Sequence, residues 1–63
     1  MWLDNLKELK KKTGMSPKQI ADKSRLPERT VIRILSGETD HPRIDTLGLI
    51  ADAMGVTLRD IFA

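Results

Sequence analysis

Apolar residues recur along this chain at steps of three and four, the spacing of one helix face. Leu6 and Leu9 make one such stripe, extended at the same spacing by Leu3 or Trp2. Val31, Ile34 and Leu35 make a second, and Leu47, Ile50, Ala51 and Met54 make a third. The pattern predicts five helices and no strands. In "PERTVIRIL", Pro27 to Leu35, the two faces of the helix disagree. The stripe faces inward, while Glu28, Arg29 and Arg33 point away from it, and so does Ile32. An isoleucine among three charged residues on a face meant for water asks for a reason.

Local signals set the boundaries. The first helix is expected from about Leu3 to Lys12, ended by Thr13-Gly14. "SPKQ" opens the second, with Ser16 as N-cap, Pro17 at the first helical position and Gln19 at the third, a capping box with the favoured proline inside it. This helix buries Ile20 and the small Ala21 and ends near Lys23-Ser24. Leu26 precedes a proline and is pushed out of the helical region. Pro27 opens the third helix, which stops at Ser36-Gly37, so it spans residues 27–36. The polar loop "ETDHP" leads to a fourth helix, about Ile44 to Met54, capped by Gly55. "TLRD" repeats the capping box with Thr57 and Asp60. The last helix, Leu58 to Phe62, is expected to be pinned to the core by Ile61 and Phe62.

Composition narrows the class. The chain has 63 residues, enough for one small domain. A chain of this size buries only about 60% of its unfolded surface, so its stability is marginal. There is no cysteine, so disulfides and thiolate metal sites are excluded, which suits a reducing cytoplasm. No apolar run approaches the roughly 18 residues of a membrane span. The basic residues of "MWLDNLKELKKK" follow its hydrophobes, the reverse of a secretory signal. The formal net charge is +2, a mild pointer to an anionic partner. Its placement says more. From Lys7 to Arg33, nine lysines and arginines face only Glu8, Asp22 and Glu28, whereas from Glu38 onward acids outnumber Arg43 and Arg59. An anion-binding surface therefore belongs mainly to the first half.

The stretch "SPKQIADKSRLPERTVIRILSG" joins two helices through a very short turn. Ala21 is small where the helices must approach closely, and Ile20, Leu26, Val31 and Ile34 would pack a bihelical corner. Such a corner projects its second helix outward, the geometry an α-helix needs to enter a major groove about 12 Å wide. With "IADKSRLPERTVIRILSG", "PRIDTLGLIADAMGV" and "LRDIF" in that order, the chain from Leu3 to Phe62 resembles the Cro and phage-repressor-like helix-turn-helix domains, the XRE family. The resemblance implies a compact all-α, five-helix domain whose second helix sits on the phosphate backbone and whose third lies in the major groove. It implies a transcriptional regulator of bacterial or phage type, a repressor by expectation, acting on double-stranded DNA in the cytoplasm as a homodimer. The dimer contact would involve the fifth helix and the loop before it, or a further C-terminal domain, since residues 1–63 could be the N-terminal part of a longer protein.

Carried over by position, the base-reading residues are Glu28, Arg29, Ile32 and Arg33. Their chemistry agrees independently. Arginine reads guanine through O6 and N7, glutamate accepts from cytosine N4, and an apolar side chain meets a thymine methyl. Helix N-termini offer free N–H groups to phosphates, which marks Ser16 and Lys18 at the second helix and Thr30 near the start of the third. Ser36 continues the line of Glu28 and Ile32. By resemblance the loop before the fourth helix touches the backbone, which makes Arg43 a contact and His41 a weaker one. Two positions depart from the family. Pro17 stands where a glutamine is common, so Lys18 or Gln19 must take over its contact. Arg25 stands where the turn favours glycine, at a cost on the order of 1 kcal/mol if its φ is positive, and it gains a further phosphate contact.

Plainer readings stand beside these. Charges on an outer helix face are often only solvated, a single exposed isoleucine needs no explanation, and Glu28 favours a helix N-terminus through the macrodipole. Arg29 and Arg33, at i and i+4, repel slightly. Ile32 could touch a partner protein, and Trp2 could be a core lid or part of such an interface. His41 has no second His or Cys for a metal. No phosphate loop, metal cluster or nucleophile–base set is present, so neither an enzyme nor a cofactor or small-molecule ligand is expected. The rival reading is a protein-interaction or antitoxin-type module on the same fold.

Overall fold

Two of the five helices begin at a complete capping box, and four end in a backbone cap hydrogen bond. In a computed structural model, which describes residues 1–63, the order is α1 (Trp2–Thr13), α2 (Pro17–Ser24), α3 (Glu28–Leu35), α4 (Ile44–Met54) and α5 (Leu58–Phe62). At the head of α2 the Gln19 N–H donates to Ser16 Oγ at 3.2 Å, and the Ser16 N–H donates to Gln19 Oε1 at 2.9 Å. The box at α5 is also complete. The Thr57 N–H and hydroxyl donate to Asp60 Oδ2 at 3.0 and 3.1 Å, and the Asp60 N–H returns a bond to Thr57 Oγ1 at 3.3 Å. Bonds from the Thr57 backbone N–H and then its hydroxyl hold the Asp60 carboxyl below its ordinary range against an opposing desolvation, with a smaller contribution from the nearby Arg59 charge.

Four boundaries differ from the sequence expectation. α1 starts at Trp2 and includes Thr13, whose hydroxyl donates to the Lys10 carbonyl at 3.0 Å. Pro27 is the N-cap of α3 and not its first helical residue, because its ψ of 139° is extended. Ser36 closes that helix as its C-cap. The span 27–36 thus counted both caps as helix.

α4 supplies the middle of the core. It contributes Leu47, Ile50, Ala51, Ala53 and Met54 to the twelve buried hydrophobic residues. Ile20 and Ala21 come from α2, Val31, Ile34 and Leu35 from α3, Leu6 from α1 and Ile61 from α5. Trp2 packs partly buried against this cluster, so it acts as a lid on the core. Phe62 does not pin α5 as expected. It is 50% exposed, and Ile61 alone is buried from the last turn. A polar clamp assists Ile61, since Asn5 Nδ2 donates to the carbonyls of Ile61 and Ala63 at 2.8 and 2.9 Å. These end-of-helix carbonyls have no partner within α5, so one side chain of α1 ties the chain's two ends together.

The turn between α2 and α3 carries the backbone cost foreseen for it. Arg25 has φ 62° and ψ 26°, and it is the only non-glycine residue with positive φ. The N–H groups of Arg25 and Leu26 both bond the Ala21 carbonyl, the second at 3.2 Å. Ser24, the one buried polar residue, gives its hydroxyl proton to the same carbonyl at 3.3 Å.

Replacing Arg25 with glycine is expected to raise the unfolding free energy by about 1 kcal/mol, measured by urea denaturation, because only glycine adopts this conformation without a Cβ penalty. An unchanged or lower value would mean that the arginine side chain offsets its own strain. Thr57→Val is expected to move the NMR-monitored Asp60 titration upward, toward an ordinary aspartate. Since the folded value is depressed, the box stabilises fully above the ordinary aspartate range and is lost as pH falls through the lowered value.

Candidate nucleic-acid interface

The eight residues of α3 make a rod about 12 Å long. One side is buried through Val31, Ile34 and Leu35. The other side is open: Glu28, Arg29, Ile32 and Arg33 are all exposed, and together they line a single shallow hollow with Glu38. The structure therefore brings together the four residues assigned to base reading. Ile32 is 46% exposed, which removes it from the core and leaves it between the two arginines' positions on the wet face. Neither arginine is paired. The one ion pair in the protein is Arg43 with Asp45 at 3.3 Å, and none of the four charged side chains in the hollow makes a side-chain hydrogen bond. Their donors and acceptors are unspent.

A second hollow lies alongside the first. Thr30, Arg33, Thr39, His41, Arg43 and Thr46 line it, and Arg33 borders both. This hollow opens between α3 and the head of α4, so it joins two of the assigned backbone contacts, Thr30 and Arg43, with His41. Arg43 and Asp45 are 82% and 66% exposed. A pair so well solvated contributes only about 0–1 kcal/mol and would open readily for a phosphate.

The remaining assigned residues lie outside both hollows. Ser16, Lys18 and Gln19 cluster at the head of α2, all exposed. Ser16 Oγ and Gln19 Oε1 accept bonds within the capping box, which leaves the serine proton and the glutamine NH2 as free donors. Arg25 is exposed at the turn. Ser36 is differently placed. It gives its hydroxyl proton to the Arg33 carbonyl at 3.0 Å and accepts the Glu38 N–H at 3.4 Å, so it offers no free donor to a phosphate in this conformation.

Glu38 was missed by sequence reasoning, which counted it as the first residue of the acidic half. The chain reverses at Gly37, with φ +83°, and a Cβ added there would lie 2.9 Å from Leu3 Cδ2. The reversal lets the Glu38 N–H reach the Arg33 carbonyl at 3.1 Å and returns its side chain to the α3 hollow. The signal was present in the sequence as a glycine directly after a helix end, but the direction of the following residue depends on the turn itself.

The protein is thus an all-α helix-turn-helix domain, with α2 and α3 as the two helices and an open, charged outer face on the second. Residues 6–61 match the family model described as helix-turn-helix. The chain belongs to that family, the Cro/C1-type or XRE helix-turn-helix proteins, a family of DNA-binding transcription regulators that bind double-stranded DNA. No curated protein and no solved structure matches the chain. No helix is long and apolar enough to cross a membrane.

Gly37→Ala is expected to destabilise the fold by about 1 kcal/mol or more, read from the denaturation midpoint. Its positive φ is incompatible with alanine, and the new methyl displaces Leu3. Unchanged stability would mean that the turn is not held by its glycine.

Proposed function

We propose that this domain is a sequence-specific repressor of transcription, acting by occupancy in the cytoplasm and using α3 as its reading head. The observation that carries the proposal is the gathering of Glu28, Arg29, Ile32 and Arg33 around one hollow on the solvent side of a helix whose other side is locked in the core. Arg29 and Arg33 are the guanine readers, Glu28 accepts from cytosine N4, and Ile32 meets a thymine methyl. Phosphates are held from both sides. On one side are Ser16, Lys18 and Gln19 at the head of α2, with Arg25 at the turn. On the other are Thr30 and Arg43 in the adjoining hollow. The mechanism requires no bond making and no cofactor.

Pro17 gives α2 its first turn but no side-chain donor. The free donors of Ser16, Lys18 and Gln19 take over the contact that a glutamine makes there in many relatives. Arg25 holds a strained backbone conformation at the turn, and a phosphate contact is the return on that strain. Ser36 joins the backbone contacts only if its hydroxyl turns away from Arg33.

A single module buries about 600–1,000 Å² on DNA. Affinity then comes from two copies on half-sites about one helical turn apart. Exposed Ile44, Leu49 and Phe62 on α4 and α5 supply apolar surface for the contact between copies.

The test is a titration of the protein with mixed-sequence duplex at low salt, followed by selection of bound sites from a random duplex pool. Binding, with a salt-sensitive affinity and a two-fold symmetric selected site, is expected. Absence of binding even at low salt would overturn the DNA-binding reading in favour of a protein-interaction module. On the selected site Arg33→Ala is expected to cost about 1–3 kcal/mol and to relax one position, whereas Lys18→Ala weakens all sequences alike. Equal losses on selected and random duplex for both variants would remove the distinction between base reading and backbone contact.

A further inference from the structure

The hollow on α3 has a feature that the four reading residues alone do not give it. Arg29 and Arg33 contribute two guanidiniums, and Glu28 and Glu38 contribute two carboxylates, so the hollow has no net charge. Glu28 stands at the first turn of α3, Glu38 stands beyond its last, and the arginines and Ile32 lie between them in sequence. No ion pair or side-chain hydrogen bond joins these groups, so each carboxylate keeps its full accepting capacity. The position of Glu38 is fixed by its backbone: its N–H bonds the Arg33 carbonyl at 3.1 Å and Ser36 Oγ at 3.4 Å.

A surface that only needed to hold DNA would gain from a cation at this place, because phosphate attraction dominates non-specific binding. A carboxylate does the opposite. It repels every duplex alike and recovers that loss only where a base edge presents an amino group to accept from, namely cytosine N4 or adenine N6. Resting on the DNA-binding reading above, we propose that Glu38 is a fifth reading residue and a specificity determinant. Its carboxylate cancels the charge of the α3 hollow, suppresses binding to random sequence, and selects a base bearing an exposed amino group at one end of the half-site. A row of acceptor, donor, apolar contact, donor and acceptor then matches one order of base edges, where a purely cationic face would accept any order.

The experiment compares wild type, Glu38→Gln and Glu8→Gln on the selected duplex and on mixed-sequence duplex over a range of salt, and repeats the random-pool selection with Glu38→Gln. Glu8 is an exposed carboxylate on α1 outside the hollow, so its variant controls for net charge. Glu38→Gln is expected to raise mixed-sequence affinity about fivefold, the size of one contact-distance charge interaction in water, while the selected site gains less or loses. The ratio between the two therefore falls, and base preference relaxes at one terminal position of the half-site only. With Glu8→Gln both affinities should move together and the ratio should hold. The proposal is overturned if Glu38→Gln behaves like Glu8→Gln, or if its selected site is unchanged at every position. Wild-type protein that binds DNA while Glu38→Gln leaves the ratio intact would sink this inference alone, whereas wild-type protein that binds no duplex would sink the DNA-binding reading with it.

Discussion

The Ala21 carbonyl accepts the backbone N–H groups of both Arg25 and Leu26 and the hydroxyl proton of Ser24. That one oxygen ends α2, and it fixes where the chain goes next. Because Ala21 has only a methyl side chain and is buried, α3 can approach α2 closely enough for Val31 and Ile34 to share its core. The tight reversal forces Arg25 into a left-handed conformation, which costs an L-residue on the order of 1 kcal/mol. A fold of this size has little stability in reserve. Holding the corner this way therefore ranks above local comfort, and the outward angle of α3 follows from it.

The two faces of α3 are then a consequence of the corner. Val31, Ile34 and Leu35 are spent on the scaffold, which leaves Glu28, Arg29, Ile32 and Arg33 with nothing inside the protein to satisfy. Unspent donors and acceptors on a rigid element suit recognition, because no internal bond must break before an external one forms. Arg33 borders both hollows, so a base edge and the neighbouring backbone would be met by groups already in register. Glu38 adds the opposing charge. On the proposed reading, affinity and selectivity would be drawn from different residues, cations at the margins and a neutral array at the centre.

Much of this was legible in the sequence because it depends on short-range physics. Helical spacing identified the buried stripes of α3 and α4, and the capping boxes at Ser16 and Thr57 were read from residues three apart. The isoleucine at position 32 stood out by its place on the polar side, and it is indeed exposed. The helix ends were less legible, because groups outside the helix or the backbone angles themselves decide them. Phe62 looked like an anchor by its size, yet the last turn is held by Ile61 and by an asparagine 56 positions away. Ser36, in line with Glu28, also turns its hydroxyl back onto the Arg33 carbonyl at the end of its own helix. From sequence Pro27 reads as the first residue of α3, and only its extended ψ makes it the cap.

What the sequence determined by itself was the set of elements, their inward faces and the family, since periodicity and capping act within one or two turns of helix. Tertiary structure decided which polar groups remained free and which shared a hollow. Glu38 shows the difference. Along the chain it begins an acidic stretch, but the left-handed turn at Gly37, packed against Leu3 of α1, folds it back among the arginines. Charge counted along the sequence cannot register that, because the field at a site depends on distance in space, and here distance is set by a reversal of the backbone.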